Sequence, residues 1–448
     1  MKQIENEEDE EKKIVIEENK SMSLNSKQRY EILDGLRGVA ALMVIIFHFF
    51  ELYSFGNPSK QIINHGYLAV DFFYVLSGFV LGYAYDDRWN KMSYWDFYKR
   101  RLIRLHPMVI AGSLLGMCYY FLGECIYSPN IENVKPHLFF ITIIMNILMI
   151  PCPVQMDIRG WGETNSFNGP NWTLTYEYLI NILYSLIFRR LHTIIIGILT
   201  LASALLAINL GLNFDVFKVM KERESNKYTF IGGWSLTSCE LYVGFTRLFY
   251  PFFAGYLVYR LKLKLRIPYS FIICSLILII SLGCPRIGGE KYPFINGIYE
   301  SFIIIIIFPL VIIIGSGDNT KNEILTKICK FIGELSYPIY ITHYPIIYIN
   351  SAWTSFHMKD SLFNKIMLSI GSFCIMVFNA YSLIELYDKP VRKWLADKYL
   401  IKNLKKDEND NKLNYNRIND SVTNNENNED EKKKIILKGN EMNEGLND

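Results

Sequence analysis

"LDGLRGVAALMVIIFHFF", residues 33–50, is an apolar run that opens on Asp34 and Arg37 and carries His48 far inside. As a helix it is long enough to enter a hydrocarbon core ~30 Å thick. Ionisable side chains are costly there and are retained for function by default. At 100° per residue, His48 falls about 20° past Arg37 after three turns, and Asp34 lies about 40° to the other side of His48. The three polar groups share one face, and that face must look into a helical bundle. A snorkelling arginine plus one satisfied core histidine is the competing account of Arg37 and His48 taken alone.

The chain around this run repeats its character. It has 448 residues, is 50% hydrophobic and holds 29 Phe and 30 Tyr. Apolar runs that do not alternate, such as "SFIIIIIFPLVIIIG", recur through the sequence. That excludes a membrane β-barrel, whose strands alternate. The fold class expected is an all-α polytopic membrane protein. The candidate spans are 36–53, 66–85, 107–126, 172–188, 193–212, 240–259, 268–284, 297–315, 335–353 and 363–387. These make a bundle of about ten transmembrane helices. A shorter apolar stretch, 137–150, precedes "PCP".

Charge decides how that stretch is read. With a cytosolic N-terminus, loop 86–106 is cytosolic and carries Arg88, Lys91, Lys99, Arg100, Arg101 and Arg104. If 137–150 does not cross, the clusters at Arg189 and Arg190, at "YRLKLKLR" (259–266), at Lys321, Lys327 and Lys330, and at Lys389, Arg392 and Lys393 are cytosolic too. A crossing would move them all outside, against the positive-inside rule. Residues 137–150 are therefore expected to form one short re-entrant or half-helix, with both termini cytosolic; which membrane is involved is not legible. Residues 1–29 and 401–448 read as an acidic N-terminal tail and an Asn/Lys/Glu-rich C-terminal tail, both disordered. The N-terminal tail has no apolar core of a cleavable signal peptide. The eight Cys show no metal-ligand spacing, so no metal is expected. Cys125, Cys152, Cys239 and Cys284 fall near the outer face, as buried free thiols or as a disulfide among them.

Depth groups further residues. His48, Asp71 and Glu177 each lie about five residues, roughly 7 Å, from the outer end of their own span. A carboxylate beside a histidine fixes its tautomer and stabilises the imidazolium, which suits a general base. Glu51, one turn past His48, lines the mouth for an acceptor or is simply exposed. At the inner face, Arg101 and Arg104 in "KRRLIRLHP" stand one turn apart. Paired guanidiniums recognise phosphates, and such a pair is equally an inside-facing anchor. Ser336 and Tyr337 start at the same face in "GELSYPIYITHYPI", with His343 about 10 Å deeper. His106, His137, His192 and His357 sit at helix starts or in loops and take no role.

In order, "LDGLRGVAALMVIIFHF", "GYLAVDFFYVLSGF", "RRLIRLHP", "NWTLTYEYLINILY", "LSYPIYITHYPI" and "YDKPVRKWL" resemble the successive blocks of the membrane-bound acyltransferase 3 family over about 30–395. The resemblance implies a ten-helix O-acyltransferase domain, here over 30–400. It implies that His48 acts in acyl transfer; the shared depth makes Asp71 or Glu177 the carboxylate expected to orient it. It implies that Arg37, Arg101 and Arg104 serve acyl-CoA binding or the structure around it; Ser336 and Tyr337, at the same face, are expected to join in acyl-CoA binding. Asp34, Trp172 and His343 are additional site candidates. Thr173 stands where the family usually has Ser, and Asp388 where it has Glu in its late Glu-Lys-Pro pattern, which suggests a structural role for that carboxylate. Many relatives carry an appended esterase-like domain; nothing folded is expected here after residue 400, so any second transfer step would belong to a partner or be absent.

The expected reaction moves an acyl group, acetyl being the family's usual one, from cytosolic acyl-CoA to a hydroxyl of a carbohydrate or lipid-linked acceptor. Acyl-CoA is a co-substrate, and no bound cofactor or nucleic acid is expected. No Ser or Cys nucleophile stands beside His48 in the sequence, so direct attack is preferred. The pantetheine arm, on the order of 15–20 Å, matches the ~16 Å rise from Arg37 to His48. Acceptor choice is expected to rest on loops such as 152–171 and 213–239. Two other classes compete. A proton-coupled secondary transporter or lipid flippase suits buried His, Asp and Glu, but it leaves Arg101 and Arg104 without a task and lacks a repeat between halves. A catalytically dead scaffold leaves all the motif residues unexplained.

Overall fold

The computed structural model describes residues 27, 29–124, 131, 133–221, 223–289, 291–318, 320, 322–357 and 361–401, with no strand among them. Cys125, Lys321 and nearly all of both tails lie outside the described residues. Cys152, Cys239 and Cys284 are free thiols.

The first compact unit, Met1–Met92 with Met108–Asp388, holds most of the helices. They are α1 (Glu31–Tyr53), α2 (Ala69–Tyr85), α3 (Tyr94–Cys118, from Met108 onward), α4 (Pro136–Ile147), α5 (Asn171–Leu186) and α6 (Thr193–Gly211). After them come α7 (Ser238–Arg260), α8 (Ser270–Gly283), α9 (Phe294–Gly315), α10 (Glu323–Thr342), α11 (Tyr344–Phe356) and α12 (Leu362–Leu383). Among the described residues, five spans are long and apolar enough to cross a membrane: α1, Gly66–Tyr85, α6, α9 and Leu362–Leu400. The number is smaller than the ten expected because several other helices carry charges or are short. α7 holds Arg247, for example, and α11 has 13 residues. Helix α4, at 12 residues, is about 18 Å long and falls short of a ~30 Å core.

The helices bury one face and leave another apolar. On α6, Ile194, Ile198, Leu201 and Leu205 form one exposed stripe; on α8, Ile272, Leu276 and Ile280 do the same. Exposed apolar faces of this extent match a lipid surrounding. The main core joins α1, α2, α7, α8, α9 and α10 around buried residues such as Leu36, Phe72, Tyr250, Leu278, Phe308 and Ile341. Helices α2 and α7 approach most closely where Gly78 and Gly255 face each other's backbones. A methyl group on Gly255 would overlap the Val75 carbonyl, and one on Gly78 the Phe252 carbonyl. Small residues allow such close helix approach in membranes.

Two prolines shape the bundle interior. Pro309 lacks an N–H, so the Ile305 carbonyl loses its helical partner. The helix answers with a π-turn at Ile303–Ile307, and the Tyr250 hydroxyl donates to the Ile305 carbonyl at 2.8 Å. Pro345 likewise frees the Ile341 carbonyl, which accepts from Asn168 Nδ2 at 2.8 Å. That break separates α10 from α11 and leaves His343 at the bend.

The second compact unit comprises Ser93–Pro107 and Lys389–Asp448. It contains the first turns of α3 and the short helix α13 (Lys389–Ala396).

Candidate active site

His48 stands on the penultimate turn of α1. Its Nδ1 lies 2.7 Å from Glu51 Oε2. An ionised carboxylate only accepts, so the ring proton sits on Nδ1 and the Nε2 lone pair is left open. No described residue hydrogen-bonds Nε2. The ring stacks on His343 with centroids 5.4 Å apart and meets the edge of Tyr344 at 4.9 Å. His343 is fully buried. Its Nδ1 donates to the Tyr340 carbonyl at 2.7 Å, and its Nε2 has no partner among the described residues. The bend at Pro345 is what turns His343 and Tyr344 toward His48.

His48 and Glu51 line a cavity of about 520 Å³, within the usual size range of small-molecule sites. Tyr344 and Tyr348 of α11 form a second wall, and Tyr340, Trp172 and Arg247 a third. Two loops close it. One contributes Trp161 and Glu163, the other Ile231, Gly232 and Trp234. The Thr164 N–H donates to the Trp234 carbonyl at 2.9 Å and ties the loops together. These are the loops to which the sequence assigns acceptor choice.

A second polar cluster sits about 16 Å along α1, at Arg37. Arg37 Nε donates to Ser336 Oγ and Nη2 to the Gly333 carbonyl, both at 2.7 Å. Asp34 Oδ1 lies 3.6 Å from Arg37 Nη2, and Asp34 Oδ2 pairs with Arg29 at 2.9 Å. Asp34, Arg37 and Ser336 are thus brought together from α1 and α10, and Tyr337 packs half-buried against the main core.

The sequence model of the acyltransferase 3 family, described as an acyltransferase domain, matches residues 30–385. The chain belongs to the acyltransferase 3 family. Among relatives, it is 24% identical over 372 residues to the O-acetyltransferase OatA of Staphylococcus aureus, 81% of this chain and 57% of that protein. It is 27% identical over 173 residues to the acyltransferase MdmB of Streptomyces mycarofaciens, 37% of this chain and 41% of that protein. It is 30% identical over 171 residues to "Protein 2 in picA locus" of Rhizobium radiobacter, 37% of this chain and 85% of that protein. The chain thus spans about half the length of OatA and less of MdmB. No solved structure matches it. The family and the apolar helices together make this an integral membrane protein that carries an acyltransferase domain over residues 30–385.

Several other candidates of this acyltransferase 3 chain have partners away from His48. Asp71 is fully buried and pairs with Arg247: its Oδ2 is 2.7 Å from Nη2, and Nε reaches both carboxylate oxygens. Glu177 Oε1 accepts from Ser77 Oγ at 2.8 Å. Thr173, in the Ser position, bonds the Tyr340 hydroxyl at 3.1 Å. Arg101, buried, and Arg104, exposed, lie in the second compact unit.

Arg247, Glu163 and Trp161 are site residues that the sequence reading passes over. Arg247 has five N–H groups. Nε–H and one Nη2–H serve Asp71, the other Nη2–H serves the Tyr67 carbonyl at 2.7 Å, and one Nη1–H serves the Gly232 carbonyl at 3.0 Å. The fifth has no partner among the described residues. Asp157 organises the first loop: its carboxylate accepts from the N–H of Arg159, Trp161 and Gly162 and from Ser166 Oγ, at 2.6–3.0 Å. Trp161 is flanked by Gly160 at φ 85° and Gly162 at φ 72°, backbone that favours glycine. Glu163 accepts from the Tyr348 hydroxyl at 2.7 Å. Burial, and then the nearby Asp157 charge, push its carboxyl up to about 8.

Proposed function

We propose that the chain is an O-acyltransferase that moves an acyl group, acetyl in the first instance, from cytosolic acyl-CoA to a hydroxyl of a carbohydrate or lipid-linked acceptor. His48 Nε2 takes the hydroxyl proton. The acceptor oxygen attacks the thioester carbonyl, the C–S bond breaks, and the departing thiolate takes the proton back from the imidazolium. The observation that carries this reading is the His48–Glu51 pair on the wall of the cavity, with Nδ1 held by a carboxylate and Nε2 open. Glu51 takes the orienting role that depth counting gives to Asp71 or Glu177. Asp71 instead steadies Arg247, whose remaining N–H suits the oxyanion that forms in the transition state.

Donor recognition falls to the inner polar cluster. Arg37 and Ser336, with Tyr337 next in sequence to Ser336, suit a phosphate of CoA, and the pair Arg101 and Arg104 of the second compact unit suits phosphates by its own chemistry. Asp34 balances Arg37, and Trp172 and His343 complete the walls around the reacting groups. In this reading about ten helices cross the membrane, α4 is re-entrant and both termini are cytosolic. The CoA arm then reaches from the inner face toward His48.

Purified protein in nanodiscs with radiolabelled acetyl-CoA tests the reading. Slow CoA release that His48→Ala abolishes, at unchanged protein level, is the expected result. Equal release by wild type and His48→Ala would overturn the mechanism. No release with any short acyl-CoA, together with proton-coupled uptake in proteoliposomes, would favour a transporter.

A further inference from the structure

The transfer chemistry uses His48, Glu51 and Arg247 and leaves one wall of the cavity without a task. That wall is made by Trp161 and Glu163, with Trp172 and Trp234 near them on the same cavity. Trp161 and Trp234 are half-buried, so both present surface to a ligand. The wall is built firmly. Asp157 pins the backbone of residues 159–162, and the bond from Thr164 to Trp234 joins the two loops. Glu163 is held through Oε2 by Tyr348, while Oε1 has no hydrogen-bond partner among the described residues.

Charge narrows what such a wall can hold. Among the described lining residues the carboxyl groups are Glu51 and Glu163, and the permanent cation is Arg247. The Arg247 charge is already met by Asp71 at 2.7 Å. Arg159, the other cation of the loop, lies 3.5 Å over the Tyr348 ring and donates from Nε to the Ser166 carbonyl; its Nη1 has no hydrogen-bond partner among the described residues, but Arg159 is not among the residues that line the cavity. An anion placed against this wall would find, among the described lining residues, two carboxyl groups and one cation whose charge is already paired, and burying an unpaired charge is expensive. A ring carrying hydroxyls fits better. Its partly positive C–H face suits the negative face of an indole, and its hydroxyls can donate to or accept from a carboxyl group.

We infer that Trp161 and Glu163 form the acceptor subsite, and that it takes an uncharged pyranose-type polyol ring and excludes anionic acceptors. The inference rests on the reading of the cavity as the place where the acceptor hydroxyl meets His48. It narrows that reading by assigning the ring face to Trp161, a hydroxyl to Glu163 Oε1, and discrimination to charge. Glu163 and Trp161 act here as specificity residues and take no part in the proton transfer.

The test measures binding without acyl-CoA, so its failure is distinct from a failure of transfer. Full-length protein in nanodiscs is titrated with methyl hexopyranosides and with a methyl glucuronide, read by tryptophan fluorescence. Saturable binding of at least one neutral glycoside is expected, with the glucuronide at least about tenfold weaker. Trp161→Ala should weaken the neutral glycoside about tenfold. Trp161→Phe, which keeps a ring face, should retain most of the binding and guards against a folding artefact. Glu163→Gln should narrow the gap between neutral and anionic glycosides above about pH 8, where the wild-type carboxyl is ionised, and leave it unchanged well below that pH. Glucuronide binding as tight as that of the neutral ring, no binding of any glycoside, or wild-type binding by Trp161→Ala would each overturn the inference. Sugar binding that persists in protein unable to release CoA would overturn the transferase reading and leave this one standing.

Discussion

Glu51 Oε2 reaches His48 Nδ1 at 2.7 Å across one turn of the same helix, so the carboxylate and the imidazole are positioned by α1 alone. A pair fixed by backbone geometry needs no second element to assemble it. Glu51→Gln keeps the size of the side chain but removes the charge that holds the proton on Nδ1. The turnover number should fall about 10–100-fold, as for other groups that orient a histidine. KM for acyl-CoA should stay near the wild-type value, because the change acts on the transition state. Steady-state CoA release by the two proteins checks this. A rise in KM at constant turnover would place Glu51 in binding instead.

Asp71 and Arg247 form a buried ion pair, with both side chains almost fully excluded from solvent. Removing one partner leaves an uncompensated charge in the bundle, at a cost of about 3–5 kcal/mol. Arg247→Leu or Asp71→Leu alone should therefore lower the melting temperature sharply. The double variant Asp71→Leu/Arg247→Leu should recover much of that stability while CoA release stays lost, since the N–H groups of Arg247 are gone from the cavity lining. Melting curves in detergent for the four proteins of the cycle decide the matter. Additive losses would show that the two residues do not act as a pair.

Much of this site is legible in the sequence, and what is not has physical causes. The helical angle between Arg37 and His48 follows from 3.6 residues per turn, so one stripe on α1 is predictable without any tertiary information. The meeting of Arg37 with Ser336 bridges 299 residues, and it follows from two motif blocks that both start at the same face. Depth counting is weaker. It puts Asp71 and Glu177 in the layer of His48 but says nothing about the direction in which each side chain points. Asp71 turns to Arg247, 176 residues away, and Glu177 to Ser77. Arg247 itself is a charged residue inside an apolar span, and the rule that flags His48 flags it equally. Trp161 and Glu163 lie in a loop with no periodicity. Their one signal is the glycine on either side of Trp161, which forces a positive φ and a tight presentation of the indole.

The crossing of α2 and α7 gives a contrast among glycines. A methyl group on Gly255 would overlap the Val75 backbone, whereas one on Gly197 or Gly371 would meet nothing within 4 Å. Gly255→Ala should force the helices apart and lower both melting temperature and yield of folded protein. Gly197→Ala, in the second turn of α6, should leave stability unchanged or raise it by about 0.5–1 kcal/mol through helix propensity. Thermal melts of the two single variants in one detergent check the contrast. Equal behaviour would mean that close backbone approach does not hold this crossing together.

Glu163 links stability to pH with a definite sign. Its carboxyl is raised from the ordinary 4.5 to about 8, first by burial and then by Asp157. Tyr348, Tyr344, Arg159 and Glu51 also act on it. Between these two values the folded protein binds the proton that the unfolded chain has released. The stability that the neutral carboxyl contributes is therefore fully present below about 4.5 and is lost as pH rises toward about 8. A tenfold difference in proton affinity corresponds to about 1.4 kcal/mol, so the full swing is a few kcal/mol. Glu163→Gln carries no titrating group and should not show this slope. Across pH 5 to 8, roughly the interval between the unfolded and folded values, the melting temperature of Glu163→Gln should climb relative to wild type. A constant difference would mean that Glu163 is ionised at neutral pH, and its contact with the Tyr348 hydroxyl would then be a charge-assisted bond rather than one to a neutral acid.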